Sequence, residues 1–154
     1  MRLVDILKPE AVKVISNVTS KKRLFQEIAE IVNQAYGLAS AETFDALQAR
    51  ENLGPTGVGH GVALPHARLD KPEGVLGVFV RLDKALPFAS VDKQPVDLIF
   101  GLFAPQDAGV EHLKSLALVS RTMRDANVCA KLRANDDPAA LFSILAEGPA
   151  SQAA

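Results

Sequence analysis

The sequence is poor in the residues that mark several common classes of protein. It has no tryptophan and a single cysteine, Cys129, among its 154 residues. One thiol cannot form an internal disulfide, which argues against a disulfide-rich secreted domain and agrees with a reducing cytoplasm. We expect Cys129 to be a buried, unreactive thiol.

Long apolar runs and an excess of one charge are also missing. No stretch approaches the roughly 20 apolar residues that a membrane-spanning helix needs. Asp5 and Lys8 interrupt the N-terminal segment where a signal peptide would have its apolar region. The formal net charge is −1, so no basic excess indicates nucleic acid and no acidic tail indicates a basic partner. We therefore predict a cytoplasmic protein with no nucleic-acid partner and no membrane insertion.

The composition that remains is that of an ordinary globular domain, 48% hydrophobic and 23% charged. Apolar residues at helical spacing, with caps, predict helices between Ser20 and Gly37, from Ser40 to Gly54, over Val110–Met123, over Val128–Leu132 and from Pro138 onward. Short β-branched or apolar runs predict strands at Val12–Ile15, Val62–Leu64, Val75–Leu82 and Asp97–Phe103. Because helices and strands mix along the chain, we predict one α/β domain whose sheet is covered by helices.

Three alternating glycines lead to the most informative residue, His66. Gly57, Gly59 and Gly61 precede a short apolar strand, and Pro65 then restricts the backbone directly before the imidazole. The spacing matches neither a dinucleotide fingerprint nor a P-loop. It leaves N–H groups that an anion could approach, although a tight turn feeding the strand explains it equally well. His66 thus lies where a strand meets a loop, a common ligand position in α/β sheets, or is a surface histidine without a role.

Two further basic residues fall at predicted helix ends. His112 is near a helix N-terminus, where unpaired N–H groups and the helix dipole favour anions, so it could donate a hydrogen bond to phosphate. Arg50 is in the last turns of a helix, where a guanidinium either complements the dipole or clamps phosphate with two hydrogen bonds. A plain helix-start residue and a solvated arginine are the alternatives.

The spacing argues against two other chemistries. His60, His66 and His112 lie on separate segments without an H-x-x-x-H pair or a nearby ligand cysteine, which disfavours a zinc site. No G-x-S-x-G elbow is present, which disfavours a serine hydrolase. We predict that the protein uses no metal and no cofactor.

Taken together, these residues resemble the type-2 IIA family of the phosphoenolpyruvate-dependent phosphotransferase system, and most of all its nitrogen-related branch. The resemblance spans about residues 3–147 and is carried by residues 20–23, 50–59, 61–66, 77–80, 94–98 and 112–114. Two positions differ from the family pattern. His60 stands where the family often has asparagine, and Pro55 where it commonly has serine.

The resemblance implies a fold, a reaction and a site. The fold would be a single domain with a mixed central β-sheet flanked by α-helices, a core over about residues 3–147 and a flexible tail over 148–154. The protein would be a phosphotransferase component that carries a phosphoryl group on Nε2 of His66, received from a small HPr-like phosphocarrier. Arg50 and His112 would act on the phosphate. Further donors to the phosphate are expected from Gly57, Gly59, His60 and Gly61.

Three hypotheses about function follow. The first is a regulator in the nitrogen-related branch, whose partners, such as potassium-transport proteins or sensor kinases, respond to its phosphorylation state. The second is the IIA component of a fructose- or mannitol-type permease, which passes phosphate to a IIB domain. The third is a binding module that does not use its histidine, which the joint presence of Arg50, His66 and His112 disfavours.

Overall fold

A six-stranded mixed β-sheet flanked by five α-helices makes up the fold, in a computed structural model that describes residues 1–149. A short 3-10 turn at Leu3–Asp5 comes first. The strands are β1 (Leu7–Ile15), β2 (Gly57–Gly59), β3 (Val62–Ala63), β4 (His66–Leu69), β5 (Leu76–Leu86) and β6 (Val96–Pro105). The helices are α1 (Lys21–Tyr36), α2 (Ser40–Leu53), α3 (Val110–Arg124), α4 (Ala126–Arg133) and α5 (Pro138–Glu147). The predicted α/β class and mixed sheet are confirmed. Of the predicted tail, residues 150–154 lie outside the described residues.

The order of strands is β1–β5–β6–β3–β2, with β4 also paired to β6. β5 runs parallel to β1 and antiparallel to β6. β5 and β6 are central strands, and burial on both faces explains why the sequence shows them as continuous apolar runs. Phe79 lies opposite Phe100 at their centre, with the two rings 6.2 Å apart.

β3 and β4 follow one another along the side of β6 that faces away from β5. Val62 pairs with Leu98 and His66 pairs with Leu102, both in parallel register. Pro65 lies between the two strands, and its carbonyl still accepts the Leu102 N–H at 3.0 Å. His66 is therefore the first residue of a strand that the sequence did not predict, rather than the start of a loop.

The helices form two groups. α1 and α2 pack on each other, and α1 also contacts β1 and β5 while α2 contacts β4. α3 contacts β6, and α4 connects α3 to α5, which lies against β1. None of the helices within residues 1–149 has the length and apolar character needed to cross a bilayer.

Local signals set several helix ends as predicted. The Ser20 hydroxyl accepts the Arg23 N–H at 3.0 Å, and Gly37 ends α1 with a φ of 75° that favours glycine. Asp137 caps α5, and Pro138 occupies its first turn, where a missing N–H costs nothing.

Two strands extend beyond their predicted bounds. β1 begins at Leu7 rather than Val12, even though it contains Pro9. A proline is tolerated because β1 is an edge strand whose register shifts between Leu7 and Val12. β5 continues to Leu86, past the charged residues that were predicted to end it, because the pairing with β6 changes register after Arg81 and leaves those charges exposed.

Candidate functional site

The imidazole of His66 is held by a partner on each nitrogen. Nδ1 lies 2.9 Å from the Leu64 carbonyl oxygen, and Nε2 lies 3.3 Å from Nε of Arg50. A carbonyl can only accept and a guanidinium can only donate, so Nδ1 carries the proton and Nε2 keeps its lone pair. The geometry therefore selects the tautomer whose lone pair is on Nε2.

Arg50 reaches His66 from the last turn of α2. Its Nη1 donates to the Gly54 carbonyl at 2.9 Å, which closes the end of the helix, while its Nε faces His66. The contact between α2 and β4 brings these two residues together across 16 positions of sequence. Sequence reasoning named both residues, and the structure brings them together.

His112 lies on the other flank of the same imidazole. It is in the first turn of α3 and is 6% exposed, and its ring is 5.8 Å from the ring of His66. Desolvation by burial, followed by the nearby positive charge of Arg68 and the His66 imidazole, lowers the pKa of His112. Its buried Nδ1 has no hydrogen-bond partner within residues 1–149. His112 is therefore predominantly neutral at pH 7.

Arg68 is a member of this site that sequence reasoning did not name. Its guanidinium donates to the carbonyls of Pro105, Gln106 and Ala108, in the loop between β6 and α3. Residues two apart in a strand share a face, so the spacing of Arg68 from His66 indicates a shared face once β4 is known. No sequence pattern predicted β4, so this spacing could not be interpreted.

An open cavity of about 570 Å³ is bounded by these side chains. Its polar lining comes from Arg50, His66, Arg68, Gln106 and His112, and its apolar lining from Ala46, Ala49, Leu53 and Ala67. Two arginines and two histidines line it, and no carboxylate is among the lining residues. Such a cavity favours an anion with several acceptor oxygens, because charge-assisted hydrogen bonds from guanidinium groups are strong and directional.

The glycine segment lies elsewhere. Gly57, Gly59, His60 and Gly61 form the β2–β3 hairpin, and none of them lines the cavity at His66. Gly59, His60 and Gly61 have positive φ angles of 99°, 56° and 77°. They form the tight turn that was one of the two interpretations of the glycine spacing. The His60 N–H donates to Asp92 at 2.9 Å. Phosphate binding by these four residues stays a prediction, and the structure does not place them with Arg50, His66 and His112.

Close packing explains two of those glycines. A Cβ at Gly57 would collide with Ser90, and a Cβ at Gly61 would collide with Arg133 and Asp97. The Arg133–Asp97 ion pair is anchored there by a hydrogen bond of 2.7 Å from Arg133 to the His60 carbonyl. The glycines thus allow the hairpin to approach its neighbours.

The lone cysteine is held inside the protein as a protonated thiol. Cys129 is buried in α4 and its thiol donates to the Met123 carbonyl at 3.1 Å. Burial raises the pKa of this thiol and keeps it protonated. Within residues 1–149, no three His, Cys, Asp or Glu side chains are grouped so as to hold a metal ion.

We expect His112 to titrate below its ordinary pKa of about 6.5. In that pH range the unfolded chain binds more protons than the folded one. The free energy of unfolding should therefore fall as the pH drops through about 6.5 and below.

An NMR titration of the His112 imidazole measures the pKa. Arg68→Met should raise it by removing the second-largest cause, whereas the matched change Arg124→Met should not. A His112 pKa above 6.5 in the unmodified protein would contradict this.

Comparisons with known proteins agree on one family. The family model described as "Phosphoenolpyruvate-dependent sugar phosphotransferase system, EIIA 2" matches residues 5–148. A nitrogen regulatory protein of Bradyrhizobium diazoefficiens is 45% identical over 153 residues, which is 99% of this chain and 100% of that protein. One from Klebsiella oxytoca is 36% identical, covering 96% and 91% of the two chains. The crystal structure of the nitrogen regulatory protein IIA-Ntr from Neisseria meningitidis has a TM-score of 0.85 and 34% identity, covering 93% of this chain and 98% of that one.

Proposed function

This chain belongs to the EIIA type-2 family of the phosphoenolpyruvate-dependent sugar phosphotransferase system, and from that membership we propose that it accepts a phosphoryl group on Nε2 of His66 from an HPr-like phosphocarrier. The observation that carries this proposal is the fixed tautomer of His66. Its Nδ1 proton is bound by a carbonyl, and its Nε2 lone pair is directed toward Arg50 at the edge of an open cationic cavity.

The proposed step is an in-line displacement at phosphorus. Arg50 first releases Nε2, whose lone pair then forms the new N–P bond while the bond between phosphorus and the carrier breaks, and the carrier retains that electron pair. Phosphoryl transfer of this kind depends on positioning and charge stabilisation more than on covalent help from neighbours. Arg50 would neutralise the oxygens of the moving group. His112 would donate a hydrogen bond from Nε2, because its Nδ1 is buried. His66 would keep its Nδ1–H bond to Leu64 throughout.

We propose that the product, phospho-His66, serves as a regulatory signal in the nitrogen-related branch. The full-length similarity to nitrogen regulatory proteins supports this assignment. The phosphoryl oxygens bring roughly −1.5 to −2 charges at neutral pH, and the Nδ1 proton that His66 keeps leaves a compensating positive charge on the ring. That negative charge would appear in a cavity whose lining includes the apolar side chain of Leu53, which is 85% exposed, so it would change which surface a partner meets. We propose that the protein acts in the cytoplasm and that its regulated partners are potassium-transport proteins or sensor kinases.

The test is phosphorylation of the purified protein by phosphoenolpyruvate, the first enzyme of the system and the HPr-like carrier. We expect one acid-labile phosphoryl group per chain, located by peptide mapping to the segment that contains His66. Label on another segment, or no label with any carrier of this type, would contradict the proposal. A pull-down that compares His66→Ala with the charge-bearing His66→Asp then identifies partners that depend on the phosphorylation state.

The sugar-permease role is the second candidate, because the matching family model describes the sugar phosphotransferase system. Both roles share the transfer to His66, so labelling does not separate them. Transfer from the phosphorylated protein to a fructose- or mannitol-type IIB domain does. Transfer to such a domain as fast as the loading of His66 would favour the permease role over the regulatory one.

A further inference from the structure

Glu51 is a buried carboxylate next in sequence to Arg50, and it does not line the cavity. Its side chain is 4% exposed and forms an ion pair of 2.8 Å with Lys21. It also accepts the Thr56 N–H at 3.1 Å and the Thr56 hydroxyl at 2.6 Å. Lys21 donates in turn to the Phe88 carbonyl at 3.1 Å. A buried ion pair is stable only when its hydrogen-bonding groups are satisfied, so this cluster has one preferred geometry.

The first connection from this cluster leads to Nδ1 of His66. The Thr56 carbonyl accepts the Leu64 N–H at 2.9 Å. The Leu64 carbonyl accepts the Nδ1 proton of His66 at 2.9 Å. A movement of Thr56 would therefore shift the carbonyl that accepts the Nδ1 proton of His66.

The second connection leads to Nε2. Arg50 donates from Nη1 to the carbonyl of Gly54, two residues before Thr56 in the same short segment, and from Nε to His66. Glu51 fixes this segment at Thr56, and Arg50 precedes Glu51 in the last turn of α2. Both nitrogens of the nucleophile are thus supported by residues 54–56, and that segment is fixed by one carboxylate.

We infer that Glu51, with Lys21 and Thr56, positions His66 for phosphoryl transfer. The cluster keeps the Leu64 carbonyl on Nδ1 and Arg50 on Nε2, so that the imidazole is already in its reactive tautomer before a donor arrives. The consequence for the transfer rate depends on the function proposed above. The consequence for the tautomer of His66 does not.

Thr56→Val tests this inference most cleanly. Valine has the shape of threonine, so it removes the hydroxyl donor to Glu51 and keeps the backbone N–H and carbonyl. We expect the transfer rate at saturating phosphorylated carrier to fall about tenfold, because small displacements of reacting groups are costly, while the half-saturating concentration changes little. The imidazole ¹⁵N shifts should show a smaller Nδ1–H fraction for His66. Thr56→Ser restores the hydroxyl and should restore both values.

Thr43→Val is the matched control. Thr43 is buried, as Thr56 is, and lies in α2, the helix that carries Glu51. Its hydroxyl donates to the Ala39 carbonyl at 2.9 Å, away from residues 54–56. It should leave the rate and the tautomer unchanged. Glu51→Gln is the second variant, and the same shift of tautomer is expected in its folded fraction even if its stability falls.

The outcomes separate this inference from the proposed function. A wild-type tautomer in both Thr56→Val and Glu51→Gln overturns it, and so does an equal change in Thr43→Val or a failure of Thr56→Ser to restore the tautomer. If the unmodified protein accepts no phosphate, the proposed function is wrong. The ¹⁵N comparison still decides whether the cluster positions His66.

Discussion

Replacing His66 with alanine should reduce phosphorylation of the protein to background. Among the residues that line the cavity, His66 is the histidine whose Nε2 contacts a guanidinium donor. His112 is close, but it is 6% exposed and its Nδ1 is buried, which leaves it poorly placed to accept phosphate from a protein-sized donor. The measurement is incorporation of labelled phosphate from phosphoenolpyruvate through the carrier, with the amount of folded protein checked by circular dichroism.

His112→Ala is the informative companion to that variant. It removes a proposed donor to the phosphate and leaves the nucleophile, so transfer should slow and the final stoichiometry should stay that of the unmodified protein. Acid-labile label that survives in His66→Ala would show that another atom is the acceptor. Complete loss of label in folded His112→Ala would show that His66 cannot be phosphorylated without His112.

The three residues at the centre of the site could be predicted from sequence because each has a local signal or a family motif. His66 follows a glycine run and a proline, and Arg50 and His112 fall at the ends of helices that apolar residues at helical spacing predict. The structure brings all three together. Geometry from the whole fold was still needed to assign the tautomer, since the Leu64 carbonyl and Arg50 act from different elements.

The parts that sequence could not supply depend on contacts between distant segments. Glu51 falls near the end of the helix predicted from Ser40 to Gly54, a place where acidic side chains usually meet solvent. Its burial is tolerable because Lys21, 30 positions away, pairs with it and Thr56 donates two hydrogen bonds to it. β4 has four residues and pairs with β6 in parallel, so no hairpin turn in the sequence indicates it. Without β4, Arg68 was not predicted as a site residue. The glycine run predicted a turn and an anion site equally well, and the structure shows the turn, packed against Asp92, Asp97 and Arg133.

Replacing Arg50 with methionine should slow phosphoryl transfer by about 10²–10³-fold, the usual effect of removing a charged donor from a transition state. Methionine keeps most of the length and apolar contact of the arginine stem, so the change isolates the guanidinium. Arg50→Lys should recover only part of the rate, because the three N–H groups of an ammonium share one nitrogen, whereas Arg50 reaches Nε2 of His66 and the Gly54 carbonyl from two nitrogens.

The control for this variant is Arg124→Met, an identical loss of charge at an exposed position on α3 that does not line the cavity. If transfer depends on local stabilisation of the phosphoryl oxygens, Arg124→Met keeps the wild-type rate at all salt concentrations, whereas Arg50→Met stays slow even at saturating carrier. If Arg50 acted only by attracting the carrier, saturation would restore the rate of Arg50→Met, and added salt would slow the unmodified protein to the same level. A defect that persists at saturation assigns Arg50 to the transferring group itself. A defect that disappears at saturation assigns it to docking and leaves the tautomer of His66 as the main contribution of the fold to the reaction.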